Sequence, residues 1–168
     1  MKARDLTAHK NAHKVLTESP AFFPMKRGKL PKPFAKMGGG RLFCTKLVTV
    51  SSDHQVLFCW RTGEVLTDTA FYGYLICPLA NGALSILLEF HWHPSHKGIH
   101  CKVPCGTDLD YTSRLLVQAP ELRLKGDASL DPREEADRSK LIALFCSACG
   151  ISLGPADHTS RQMDLWNT

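Results

Sequence analysis

The chain of 168 residues predicts one α+β domain: an antiparallel sheet of five to six strands in meander order, with an N-terminal helix and a C-terminal helix packed on one face. Three observations carry this. Residues 84 to 92 alternate Leu84, Ile86, Leu88, Phe90 and Trp92 with Ser85, Leu87, Glu89 and His91, the period of a half-buried strand. Short polar turns join this stretch to apolar runs on either side. Strands joined so closely pair antiparallel, because a parallel crossover needs about a dozen residues or more. Residues 131 to 150 carry helix signals: Asp131 as N-cap, Pro132 at the first position, Glu134 and Glu135 in the first turn, and Gly150 as C-cap.

In chain order, residues 4 to 17 predict a short amphipathic helix with Ala8, Ala12, Val15 and Leu16 on one face, ending before Ser19 and Pro20. His9 and His13 have a chelating spacing but no third ligand, and read as solvent-facing. Pro20, Pro24, Pro31 and Pro33 interrupt regular structure, so residues 20 to 40 read as an extended basic connector. Gly38, Gly39 and Gly40 lack the Lys-Ser/Thr ending of a phosphate loop and read as a flexible hinge. The organisation predicted is a helix and basic arm over 1–40, a core over 41–153 and a polar tail over 154–168, in which Met163, Leu165 and Trp166 could dock.

Strands are predicted at 41–50, 55–60, 70–77, 83–93 and 99–103, separated by turns at 51–54, 61–64, Asn81-Gly82 and 94–98. Residues 104 to 130 begin as a loop, and 111–117 fits either a sixth strand or a helical turn. Alternation on both arms of the last hairpin fixes its register, because a one-residue slip would expose every apolar side chain of one strand. It pairs Trp92 with Ile99, Phe90 with Cys101 and Leu88 with Val103. Counting back from Asn81-Gly82 pairs Leu75 with Leu88, Tyr74 with Glu89 and Tyr72 with His91, with Pro78 a potential bulge. The expected core is Leu75, Ile86, Leu88, Phe90, Trp92, Leu141, Leu144 and Phe145, with the Leu141, Phe145 and Ala148 stripe lying on the sheet.

This register gathers Glu89, His91, His93, His100, Lys102, Tyr72 and Tyr74 on the other, wet face, with His96 solvent-exposed in the turn. Histidine titrates near neutrality and serves as acid or base. With Glu89, Lys102 and Tyr72 the cluster suits metal-independent phosphodiester cleavage: one group takes a 2′-hydroxyl proton, another protonates the leaving oxygen, and the lysine steadies the phosphate. The same three histidines could instead hold zinc, with Glu89 as their orienting partner or base. A second zinc arrangement would use Cys101, Cys105, Cys146 and Cys149, although Cys101 falls on the apolar side and Cys146 and Cys149 on a helix face needed for packing. Cys146 and Cys149 lie at a helix C-terminus, the wrong end for a thioredoxin-like thiol.

The net charge of +5 is uneven. Residues 1–50 hold eleven Lys and Arg against two acids, a surplus of +9, and the remainder holds ten against fourteen, or −4. Lys26, Arg27, Lys29, Lys32, Lys36 and Arg41 thus form a basic stretch suited to a phosphate backbone. Hydrophobic content of 43% with no long apolar run excludes a membrane helix, and seven scattered cysteines without an export signal predict reduced thiols in the cytoplasm. Two functions are expected from this: a nucleic-acid-directed protein, RNA favoured, that cleaves with the histidine face, using either no cofactor or zinc; or a non-catalytic module whose arm binds an acidic protein partner, stabilised by zinc.

Overall fold

Hydrophobic alternation and turn chemistry are realised as strand pairing in the computed structural model, which describes residues 3–94, 98–102 and 130–154, with backbone alone at 3–6 and 98–102. Helix α1 (Ala3–Asn11) precedes β1 (Val15–Leu16), β2 (Phe23–Pro24), a 3-10 turn (Phe34–Lys36), β3 (Leu42–Cys44), β4 (Val48–Ser51) and β5 (His54–Arg61). A second 3-10 turn (Leu66–Asp68), β6 (Ala70–Pro78), β7 (Leu84–His93), β8 (Gly98–Lys102), α2 (Glu135–Cys149) and β9 (Ser152–Leu153) follow. The α+β architecture is the one expected. Its antiparallel sheet runs β2-β3-β5-β6-β7-β8, with β4 also against β5, while β1 and β9 form a separate parallel pair. No described helix is long and apolar enough to cross a membrane. Residues 103–129, including Val103, Cys105 and the 111–117 segment, lie outside the described residues, as do His96, Met163, Leu165 and Trp166.

Both predicted hairpin registers are found. Trp92 pairs with Ile99 and Phe90 with Cys101, while Leu75 pairs with Leu88, Tyr74 with Glu89 and Tyr72 with His91. The bulge lies away from Pro78: Ile76 pairs with Ile86, leaving Leu87 as the extra residue. Everything N-terminal to Leu87 on β7 therefore changes face. Leu87 joins Leu88 under α2, whereas Ile86 and Leu84 pack in a second apolar cluster on the opposite face, which corrects the core assignment of Ile86. Leu144 is only half-buried at the margin of the first cluster. The predicted 41–50 strand is two strands, because buried Thr45 bends the chain and its Oγ1 accepts the Phe58 N–H at 3.1 Å.

Both helices differ from expectation at their ends. α1 stops at Asn11 because Lys14, itself buried, folds back and donates to the carbonyls of Ala12 (2.8 Å), Lys10 (3.1 Å) and His9, so it caps the helix. Val15 and Leu16 then pair with β9, tertiary pairing overriding local helix preference. α2 begins at Glu135. Asp131 organises a preceding turn, its Oδ1 accepting the Arg133 N–H at 2.9 Å and its carbonyl the Glu134 N–H at 2.9 Å. Gly150 ends the helix in the left-handed region (φ 64°), as the sequence indicates.

The helix seats on a gap in the sheet. Phe58, Gly73 and Phe90 form one cross-strand row, and Phe145 lies over Gly73, 5.1 Å from the Phe58 ring and 6.0 Å from the Phe90 ring in edge-on contact. A Cβ at Gly73 would stand 2.7 Å from Phe145 Cδ2.

The opposite face is covered by the extended basic connector, which is packed on the sheet. Leu30 and Phe34 are buried against Leu57, Cys59, Tyr74 and Ile76. The glycines form a packed turn instead of a hinge: Gly38 has φ 141°, a Cβ there would meet the Arg27 amide nitrogen at 2.5 Å, and Gly39 N–H donates to the Met25 carbonyl at 2.9 Å. His9 also departs from expectation. Its Nδ1 lies 3.0 Å from Nε2 of His54, a residue only 3% exposed whose Nδ1 is 2.8 Å from Ser51 Oγ, while His13 is exposed.

Two outcomes follow from these contacts. Gly73→Ala should lower the unfolding free energy by about 1–3 kcal/mol through overpacking against Phe145, read by urea denaturation; an unchanged midpoint would mean that the ring does not sit there. Burial, then the charges of Lys14 and His9, hold the His54 pKa below its ordinary value, with Asp53 opposing. Its contribution to stability is therefore complete above the unfolded value of about 6.5 and is lost as pH falls through the lower folded value. Below pH 6.5 this residue should add up to about 1.4 kcal/mol per pH unit to the loss of stability, and His54→Gln should remove that increment.

Candidate functional site

The site is built on the face away from α2. Strand periodicity places Glu89, His91 and His93 of β7 on this face, and β6 sets Tyr74 opposite Glu89 and Tyr72 opposite His91. On the other side, β8 sets Lys102 opposite Glu89 and His100 opposite His91. One row thus runs Cys44, Cys59, Tyr72, His91, His100 across five strands.

Glu89 Oε2 approaches His91 Nε2 to 3.2 Å, with side chains 26% and 17% exposed. The approach lies off the hydrogen-bond direction, so buried Nε2 has no hydrogen-bond partner among the described residues. The carboxylate charge nevertheless favours the tautomer with its proton on Nε2, which leaves a lone pair on Nδ1. Tyr72 packs edge-on to His91 at 5.1 Å and His93 at 5.4 Å, and the two histidine rings are 6.1 Å apart.

The face is half-buried, not wet as the alternation alone implies. Phe34 is 2% exposed and meets Tyr74 edge-on at 4.9 Å, and Tyr74 in turn lies 6.0 Å from His91. Burial raises the pKa of Tyr74 well above the ordinary phenol range and also raises that of Tyr72, where Arg61 acts in the opposite sense. Both phenols stay protonated at neutral pH and act as O–H donors. Above the anchors Leu30 and Phe34, the side chains of Lys26, Arg27, Lys29, Lys32, Lys36 and Arg41 are exposed.

Leu30 and Phe34 were not among the residues the sequence singles out for the site, although through Tyr74, which the register does place on this face, they tie the arm to it. Two bulky apolar side chains four apart in a proline-rich basic run are the signal that the run packs. Of the four cysteines considered for metal, Cys146 and Cys149 are buried in the cluster beneath α2, and burial pushes the Cys146 thiol up to about 12. Cys101 takes the register position opposite Phe90, on β8, and Cys105 lies outside the described residues. Among the described residues no three His, Cys, Asp or Glu side chains converge as a metal-holding group.

No protein-family model, no curated protein and no solved structure matches the chain. The residues themselves therefore carry the functional argument.

If Phe34 anchors the arm, Phe34→Ala should lower stability by about 3–5 kcal/mol, the usual cost of emptying a buried phenylalanine site, and limited trypsin digestion should cut earlier at residues 26–36. Unchanged stability with unchanged cleavage would show that the arm is held by other contacts.

Proposed function

We propose that the protein is a small RNA-directed phosphodiesterase, using the Glu89/His91/His93 face for general acid-base cleavage and the basic arm to hold the backbone. The observation that carries this reading is the shared anchor: Phe34 docks on Tyr74 beside His91, so the arm that bears the exposed cations is fastened to the face that bears the histidines. Phosphate contacts position a strand, and acid-base groups beside them act on it.

In this scheme Nδ1 of His91 takes the proton of a ribose 2′-hydroxyl, with Glu89 holding the tautomer and offsetting the imidazolium charge. The 2′-oxygen attacks phosphorus while the bond to the 5′-oxygen breaks. His93, one pleat repeat along the strand, gives that oxygen its proton, leaving a 2′,3′-cyclic phosphate and a 5′-hydroxyl. Tyr72 donates its O–H to a non-bridging oxygen, and Lys102 and His100, paired opposite Glu89 and His91, supply the further positive charge. No metal is needed for these proton transfers. A cytoplasmic setting fits the protein, with Cys44, Cys59, Cys77 and Cys146 present as thiols.

Incubation of the purified protein with single-stranded RNA, with and without EDTA, tests the reading. Cleavage that survives EDTA should fall by about a hundredfold or more in His91→Ala. Replacing Lys26, Arg27 and Lys29 together by Ala should weaken RNA binding and flatten its salt dependence. RNA bound but left intact would support instead the non-catalytic module, and an acidic protein partner would then be sought. RNA neither bound nor cut would overturn the proposal.

A further inference from the structure

A second concavity lies on the other side of the sheet, where the start of α2 meets the edge formed by β2, β3 and β5. It has a volume of about 360 Å³ and is walled by Phe22, Phe43, Trp60, Glu135, Arg138 and Ser139 among others. That volume is in the range of small-molecule sites, roughly 300–1,000 Å³. Phe43 and Trp60 are cross-strand partners stacked at 4.4 Å and 8°, and the Arg138 guanidinium lies 5.0 Å from the Trp60 ring and 5.7 Å from that of Phe22. Part of this aromatic surface is taken up within the group, and what the Phe22, Phe43 and Trp60 rings still present to the cleft favours a flat, polarisable ring. Trp60 Nε1 is buried and has no hydrogen-bond partner among the described residues.

Charge decides how such a ligand would sit. Glu135 and Arg138 both lie in the wall, so the cleft offers a phosphate no net positive charge. Lys26, Arg27 and Arg41 adjoin this edge in the chain: Pro24 pairs with Phe43, and the Met25 N–H donates to the Leu42 carbonyl. A neutral base inside with its phosphates outside satisfies both conditions. We infer that this cleft seats an unpaired base of a single-stranded nucleic acid whose backbone follows the basic arm, an inference that rests on the RNA reading and narrows it to single strands.

The probe is a short single-stranded DNA, which lacks the 2′-hydroxyl and so reports binding without cleavage, beside an abasic strand of the same length and charge. The intact strand should bind about tenfold more tightly, one stacked base being worth roughly that factor, and should quench tryptophan fluorescence where the abasic strand does not. Phe22→Leu, which keeps an apolar side chain but removes the ring, should abolish most of this difference, and Trp60→Phe should remove the quenching. Equal affinity for the two strands, or a difference untouched by Phe22→Leu, would overturn the cleft while RNA cleavage, assayed in parallel, could still stand. Binding of neither strand together with intact RNA would overturn both readings.

Discussion

The seating of Phe145 over Gly73 decides how the rest of the molecule is arranged. An antiparallel sheet has two faces to cover, and a helix needs a place where its side chains can approach the strands closely. Gly73 makes that place in the centre of β6, between Phe58 and Phe90, and so assigns one face to α2. The other face is left to the N-terminal arm, which reaches it around the β2 edge: Phe22 lies beside α2, Phe23–Pro24 pairs with β3, and Leu30 and Phe34 are buried on the far side. The cations between and after these anchors face solvent along the whole path.

How much of this was legible depended on how many alternatives each segment left open. Glu89, His91 and His93 alternate with Phe90 and Trp92, so only one register keeps the aromatics covered, and the Asn81-Gly82 turn supplies an independent count to the same pairing. The stretch before Leu88 is different. Leu84, Ile86 and Leu87 are all apolar, and either register buries something suitable, so the bulge at Leu87 left no pattern to read. The docking of the arm is hidden for a related reason: prolines and glycines forbid regular structure but not packing, and the burial of Leu30 and Phe34 depends on a surface elsewhere in the chain. Likewise, the turn at Lys14 and the His9/His54 pair are contacts between distant segments that no local period encodes.

The half-burial of the histidine face changes what its residues can do. On a wet sheet face Glu89 and His91 would be screened from each other and free to rotate. With Tyr72 and Tyr74 packed beside His91, and Phe34 in turn on Tyr74, they stand 3.2 Å apart in a less polar setting, where a carboxylate biases an imidazole more strongly. The arm thus contributes twice to the proposed chemistry, through its charges and through the desolvation its anchors impose, and this coupling is the central claim.

That claim is tested most directly by nuclear magnetic resonance of the histidine ring nitrogens and the arm amides during titration with a short 2′-O-methyl single-stranded RNA, which cannot be cleaved by its own 2′-oxygen. The account predicts that the His91 and His93 ring signals and the amides of residues 26–36 shift together along one binding curve. Perturbation of the arm with both histidine rings unmoved would contradict it.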